Sequence, residues 1–143
     1  MDECVVHWQG KKIKLRTDNH YTWLRLQKIL SWVHKRKFPD VTEKDQISKL
    51  YEEQGELKAA VEAYEKNEDS ILAVQECAYE LADMMFAWFG LRRFNPELAM
   101  VFLEKHRLLV KKVWYSSDAI LPMMIKKILE VYFIRTYKNN RHI

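Results

Sequence analysis

Residues 47–64, ISKLYEEQGELKAAVEAY, and residues 71–88, ILAVQECAYELADMMFAW, are the two stretches that decide the fold. In both, apolar side chains recur at steps of three and four residues, which places them on one side of an α-helix. Each stretch therefore predicts an amphipathic helix, and the polar residues between the two stretches predict a short turn. Two helices packed antiparallel along these stripes would form the centre of a helical bundle.

Each stretch also carries two acidic residues three positions apart, Glu53 with Glu56 and Glu80 with Asp83. Residues at this spacing project from the same side of a helix, here beside the apolar stripe. In an antiparallel pair, the four carboxylates would converge at the edge of the interface. There they repel one another and lose solvation unless a cation compensates. Because carboxylate oxygens suit a hard cation, the sequence predicts a Mg²⁺ site, with Mn²⁺ as the alternative metal.

The ordinary alternative is that each acidic pair belongs to a solvated helix face, which is the common case for a single pair of this kind. Two pairs on consecutive amphipathic helices, both next to the buried stripe, are a more specific pattern than either pair alone. We therefore favour the metal site as the interpretation.

The segment EEQGEL at residues 52–57, followed by ELAD at residues 80–83, resembles the signature of the MazG-type all-α nucleoside triphosphate pyrophosphohydrolases. The NPE segment at residues 95–97 is similar to the start of the following helix in that family, and the likeness extends over about residues 20–110. The resemblance implies an all-α, MazG-like bundle of four to five helices. It also implies Mg²⁺-dependent hydrolysis of a nucleoside triphosphate, ribo or deoxy, to the monophosphate and pyrophosphate. The expected metal ligands are Glu53, Glu56, Glu80 and Asp83, and the expected catalytic residue that activates water is Glu53 or Glu56.

Members of this family often hold the phosphates with a Lys and an Arg one turn apart on the fourth helix. At the corresponding positions this chain has His106 and Val110, although basic residues lie directly beside both. The side chains expected to bind substrate are therefore the neighbouring basic residues Lys105, Arg107, Lys111 and Lys112.

The chain is predicted to form a single domain over residues 1–143, because its length and its 48% hydrophobic content suffice for one core. Residues 1–19 are an N-terminal extension with a short β-hairpin, residues 20–114 hold the core helices, and residues 118–138 form an extra C-terminal helix. The 3 Gly and 3 Pro in the whole chain favour long helices over a turn-rich β fold.

Residue signals set the expected helix ends. The first helix runs from about Tyr21 to Lys37, and the second begins after Thr42 and ends near Lys66. The third ends at Gly90. The fourth begins after Asn95, with Pro96 at its first position.

Neither a signal peptide nor an apolar run of membrane-spanning length is apparent in the sequence, and Cys4 and Cys77 have no metal or redox spacing. We therefore expect a cytoplasmic protein without a membrane partner, in which Cys77 packs in the core. The net charge is +5 over residues 1–50, −7 over residues 51–100 and +6 over residues 101–143. An acidic centre between basic flanks suits a metal-bound polyphosphate.

The C-terminal helix has more apolar residues than one core-facing stripe needs, which favours a homodimer or homotetramer; the alternative is a fully internal helix. Other functions also remain open at this stage. The chain could be a non-catalytic helical module that binds a partner protein, or a nucleic-acid-binding protein that uses its basic ends, although we consider nucleic acid the weaker expectation. Among enzymes, a dimeric dUTPase or a phosphoribosyl-ATP pyrophosphohydrolase would share the helices and the acidic ligands.

Overall fold

The computed structural model describes residues 3–8 and 11–16 as backbone and residues 30–129 with their side chains. Strand β1, Glu3–Trp8, pairs antiparallel with strand β2, Lys11–Arg16, so that Val6 lies opposite Ile13. This pair falls within the segment for which the sequence predicts a hairpin.

From residue 30 onwards the described chain consists of helices and their connections, which confirms the all-α class for this part of the protein. The helical segments are residues 30–37 (α1), Glu43–Lys66 (α2), Ile71–Phe94 (α3), Pro96–Lys105 (α4), Arg107–Trp114 (α5) and Ile120–Lys127 (α6). The expected start of the first helix, residues 21–29, lies outside the described residues, as does the end of the C-terminal helix, residues 130–138. No described helix combines the length and the apolar character that crossing a membrane requires.

The ends of α2 are the predicted ones. The Asp45 N–H donates to Thr42 Oγ1 at 3.1 Å, and the Thr42 N–H donates to Asp45 Oδ2 at 3.3 Å. This reciprocal capping box satisfies two backbone donors that would otherwise lack a helical partner. At the other end, α2 stops at Lys66 and Asn67 is its C-cap.

Two helix ends differ from the sequence prediction. Helix α3 does not end at Gly90 but continues to Phe94, because Gly90 serves close packing and not helix termination. A Cβ atom at residue 90 would lie 2.5 Å from Gln46 Nε2 and 2.6 Å from His34 Cδ2, so any larger residue would have to displace these side chains. The predicted fourth helix is interrupted at His106 and forms α4 and α5. The described chain therefore has six helical segments, where the sequence predicts four to five helices.

Helix α3 is the centre of the bundle, with α2, α4, α5 and α6 packed around it. Hydrogen bonds show that α2 and α3 run antiparallel: Gln46 near the start of α2 reaches Ala87, and Cys77 near the start of α3 reaches Ala60. Leu50, Leu57 and Leu81 are fully buried between the two helices, as the apolar stripes predict. Cys77 is also buried, which confirms its place in the core.

Helix α6 packs on α3 and buries much of the apolar surface that the sequence leaves without a partner. Met124, Ile125, Ile128 and Leu129 are all fully buried within the protomer. For this part of the C-terminal helix, the structure therefore agrees with the alternative prediction, an internal helix. The apolar residues 131–134 lie outside the described residues.

Candidate metal and nucleotide site

The antiparallel packing of α2 and α3 brings the predicted acidic residues together. One carboxylate oxygen each from Glu53, Glu80 and Asp83 lies within 4.8 Å of the other two. Glu53 also belongs to a second group of the same size, with Glu52 and Glu56 on its own helix. Glu53 is therefore the carboxylate shared by both groups, whereas Glu56 lies at the exposed edge.

The cluster holds more negative charge than its surroundings neutralise. Burial, hydrogen bonding of its protonated form with Glu76 and Glu56, and the nearby Asp83 charge raise the pKa of Glu80 to about 8. Burial also raises the pKa of Glu53, although the Lys49 ammonium opposes this change. Raised pKa values of this kind mean that the site resists carrying its full negative charge without a further cation.

Two buried oxygen atoms of the cluster have no partner among the residues that the structure describes. Within the described part of the chain, neither Glu53 Oε2 nor Glu80 Oε2 has a hydrogen-bond partner. A buried acceptor left unpaired costs on the order of 1–3 kcal/mol. Oxygen atoms that are close together, anionic and unpaired are the ligand type that Mg²⁺ and Mn²⁺ prefer, so the residues present fit a divalent cation.

Two lysines partly balance the acidic cluster, and neither was among the predicted site residues. Lys49 Nζ lies 3.0 Å from Glu53 Oε1, one turn away on α2. Lys127 Nζ, from α6, lies 2.8 Å from Asp83 Oδ2 and donates to the Tyr79 carbonyl at 3.4 Å. The Lys127–Asp83 pair is well shielded, with each side chain 17% exposed.

A cavity of about 280 Å³ begins at the carboxylates. Glu53 and Asp83 line one part of it, together with Lys49. The rest of the wall comes from α1, α2, α3 and the connection before α2, and consists of His34, Phe38, Val41, Asp45, Gln46, Phe86 and Ala87. A ligand in this cavity would thus have a mostly apolar environment at one end and the acidic cluster at the other.

His34 and Gln46 form a polar connection across this wall. Gln46 Nε2 donates to the Ala87 carbonyl at 2.8 Å, and Gln46 Oε1 lies 2.9 Å from His34 Nε2. Both side chains are buried. Burial and the nearby Arg93 charge lower the pKa of His34 to about 4, although the hydrogen bond with Gln46 acts in the opposite direction.

The four basic residues expected to bind substrate lie on α4 and α5, and three of them have local partners. Lys112 pairs with Glu65, Arg107 lies 3.9 Å from Glu104, and Lys105 stands over the Tyr51 ring at 5.9 Å. Lys111 is exposed. Glu65 is twelve residues after Glu53 on the continuous helix α2, which corresponds to roughly 18 Å along the helix axis. The Lys112–Glu65 pair is therefore remote from the acidic cluster.

Gln46 and Lys127 were not among the predicted site residues, and they differ in how clearly the sequence indicates them. Gln46 lies one turn before Leu50 on the apolar stripe of α2, and a polar residue at such a position is a recognisable exception. Lys127 gave no comparable signal, since its role depends on how α6 packs against α3. Trp32 on α1 is 40% exposed, and the Arg36 guanidinium lies over its ring at 5.3 Å.

Comparisons of the chain with protein-family models, with curated proteins and with solved structures give no match. The geometry of the site and the resemblance of the two acidic motifs are therefore the features that bear on function.

Proposed function

We propose that this protein is a Mg²⁺-dependent nucleoside triphosphate pyrophosphohydrolase with a MazG-like helical bundle, and that it releases a nucleoside monophosphate and pyrophosphate. The observation that carries the proposal is a carboxylate cluster with unpaired buried oxygens that borders a mostly apolar cavity. A nucleotide has the matching chemistry, since its phosphates are bound through cations and its base is flat with apolar faces.

Glu53, Glu80 and Asp83 would hold the cation, with Glu56 completing the set from the exposed edge. When bound, Mg²⁺ supplies positive charge that stabilises the charge developing on phosphate oxygens. Glu53 is the better candidate for orienting the attacking water, because it lines the cavity and belongs to both carboxylate groups. Glu56 is exposed and does not line the cavity, although it hydrogen-bonds with Glu80.

The phosphate-binding role of Lys105, Arg107, Lys111 and Lys112 stays a prediction. Lys49 and Lys127 are further candidates, because both already lie beside the carboxylates. Replacing each of the six in turn by Ala separates the two sets through KM. A lost charge-assisted hydrogen bond to phosphate costs about 1.5–3 kcal/mol, or roughly a tenfold to hundredfold rise in KM. We expect that rise for Lys49 or Lys127, and smaller changes for Lys105, Arg107 and Lys112, which have partners away from the cluster.

A screen of ribo- and deoxynucleoside triphosphates for pyrophosphate release, with Mg²⁺ and with EDTA, tests the proposal directly. We expect release from at least one triphosphate with Mg²⁺ and none with EDTA. Failure of the purified, folded protein to release pyrophosphate from any triphosphate would contradict the proposed activity. Release of orthophosphate instead would indicate a different phosphatase reaction at the same site.

A homodimer or homotetramer also stays a proposal. Part of the apolar surface that suggests it from the sequence is buried within the protomer, but Met100, Val101 and Leu108 on α4 and α5 are each at least 60% exposed. Such residues are candidates for burial between subunits. Light scattering over a dilution series measures the assembly, and a monomer that is fully active at micromolar concentration would contradict it.

A further inference from the structure

The two lysines that partly neutralise the acidic cluster are held in different ways. Lys127 Nζ lies 2.8 Å from Asp83 Oδ2, donates to the Tyr79 carbonyl at 3.4 Å and stands over the Tyr79 ring at 5.0 Å. The Lys127 side chain is only 17% exposed. Lys49 Nζ lies 3.0 Å from Glu53 Oε1, and the Lys49 side chain is 53% exposed. Because ion pairs in contact with water contribute little to stability, Lys49 is the lysine that can leave its carboxylate at little cost.

Lys49 also lies where a ligand of the cavity would meet it. It lines the cavity together with Glu53 and Asp83, whereas Lys127 does not belong to the described wall of this cavity. A lysine ammonium has three donors on a flexible stem and binds phosphate as a point charge. A phosphate group held beside the carboxylates would therefore come within reach of Lys49.

The carboxylate of Glu53 needs a positive partner. Its side chain is only 9% exposed, and its Oε2 has no hydrogen-bond partner within the described residues, so Lys49 on Oε1 supplies the compensating charge. A buried carboxylate that loses its cationic partner is strongly destabilised. Departure of Lys49 therefore favours the arrival of another cation at Glu53, and a divalent cation there would in turn repel the Lys49 ammonium.

We propose that Lys49 is an exchangeable counter-ion that couples the binding of nucleotide to the binding of the divalent cation. Lys49 pairs with Glu53 in the protein without ligand and passes to a nucleotide phosphate when the nucleotide binds, so that Glu53 becomes available to the cation. Each ligand then raises the affinity for the other by the same factor. The identity of the two ligands rests on the proposed function, whereas the exchange rests on the exposure of Lys49 and its place in the cavity wall.

Binding of Mg²⁺ and nucleoside 5′-monophosphates tests the coupling without any hydrolysis. Mg²⁺ is titrated calorimetrically into the protein alone and into the protein with each of the four common monophosphates. We expect at least one monophosphate to tighten Mg²⁺ binding by about fivefold or more. If no monophosphate changes the affinity for Mg²⁺, the proposal is wrong.

Replacing Lys49 by Met keeps an unbranched apolar stem and removes the ammonium. Lys49→Met should bind Mg²⁺ alone about twofold to fivefold more tightly, because the competing cation is gone. It should bind the monophosphate at least about tenfold more weakly, because a charge-assisted contact is lost. The factor by which the monophosphate tightens Mg²⁺ binding should fall. Unchanged or weaker Mg²⁺ binding would overturn the proposal, since that result is expected if Lys49 only supports Glu53.

The matched control is Lys58→Met, which removes the same charge from an exposed position on the same helix. Both affinities of Lys58→Met should stay within about twofold of the wild-type values, because surface substitutions away from a site have small effects. Changes as large as those of Lys49→Met would assign the result to net charge and contradict an exchange at Glu53.

Nitrogen NMR of the lysine ammonium groups gives a test in the wild-type protein. We expect the Lys49 Nζ resonance to shift when the monophosphate binds in EDTA, and the contact with Glu53 to be lost when Mg²⁺ is also present. A Lys49–Glu53 pair that persists with both ligands bound would overturn the inference. Coupling that depends on Lys49 in a protein that releases no pyrophosphate from any triphosphate would instead contradict only the proposed activity.

Discussion

Two groups of buried or half-buried polar side chains lie along α3, and they differ in how their charges and hydrogen bonds are satisfied. In the first group, Glu53, Glu80 and Asp83 crowd together with two oxygens unpaired within the described residues. In the second, Gln46 joins His34 to the Ala87 carbonyl, the two side chains carry no formal charge, and His34 Nδ1 is the atom left without a partner within the described residues. Under the proposed function the first group is the one that would receive a cation, whereas the second holds the shape of the cavity wall beside it.

The largest expected effect comes from removing a ligand of the acidic cluster. Asp83→Asn should lower turnover by at least about 1,000-fold, since metal-ion charge stabilisation is worth several kcal/mol and about 1.4 kcal/mol is a factor of ten. Steady-state kinetics with saturating Mg²⁺ measures this. Glu62→Gln is the matched control, an exposed acid on α2 outside both carboxylate groups. Near-wild-type turnover in a folded Asp83→Asn variant would remove Asp83 from the site.

The two groups should also respond to pH in opposite directions. The pKa of His34 is about 4 in the folded protein, against an ordinary value of 6.5. As the pH falls from 6.5 towards 4, the unfolded chain binds a proton that the folded protein does not, so the free energy of unfolding decreases. The loss should reach roughly 3 kcal/mol. Glu80 has a folded pKa raised to about 8, so it contributes stability at low pH that disappears as pH rises from 4.5 to 8. Denaturant unfolding of the metal-free protein across this range measures both slopes.

Two single variants show which residue causes each slope in the pH dependence of stability. His34→Phe should flatten the slope on the acid side, and Glu80→Gln should flatten the slope on the alkaline side. An unchanged pH profile in both variants would mean that other groups dominate the titration.

Close packing at the second group can be tested at Gly90. Gly90→Ala should destabilise the protein by about 1–3 kcal/mol, because the new methyl group would meet both His34 and Gln46. The control is Gly55→Ala on α2, where a Cβ atom meets nothing within 4 Å. There the better helix propensity of alanine should stabilise the protein by up to about 1 kcal/mol. Denaturant midpoints compare the two, and effects of the same sign would contradict this account.

The smallest expected effect concerns the lysine that partly neutralises the first group. Lys127→Met should destabilise the metal-free protein by about 1–2 kcal/mol, because it removes a shielded partner of Asp83. Lys126→Met, at the exposed neighbouring position on α6, should change stability by less than about 0.5 kcal/mol. Mg²⁺ should stabilise the Lys127→Met protein more than the wild type. Equal thermal shifts with Mg²⁺ would argue against Lys127 as a counter-ion of the site.

The sequence predicted the parts of the fold that depend on short-range patterns. The stripe of α2, its N-cap at Thr42 and the cap of α4 at Asn95 are all local signals, and each holds in the structure. Gly90 misled the prediction because helix-ending glycine and closely packed glycine look alike in a single sequence. The interruption at His106 has no Pro or Gly to mark it.

The candidate site, like the fold, was predictable only where it depends on short-range patterns. The meeting of Glu53, Glu80 and Asp83 follows from two adjacent stripes, so the sequence was sufficient to predict it. The contribution of Lys127 and the cavity wall at His34 depend on the packing of α6 and α1 against α3, which helical periodicity does not specify. The basic residues of α4 and α5 show the limit of a family pattern. That pattern suggests Lys112 and Arg107 as substrate-binding residues, but in the structure they pair with Glu65 and Glu104.

The short connection between α2 and α3 has a consequence for how the protein folds. Because Asn67 to Ser70 join the two helices directly, the carboxylates come from one helical hairpin whose contacts are local in sequence. Hairpins of this kind form early and rapidly. The chain should therefore bring its acids together before the later helices add shielding and Lys127. Repulsion would then be greatest partway through folding, so a divalent cation should speed refolding as well as slow unfolding.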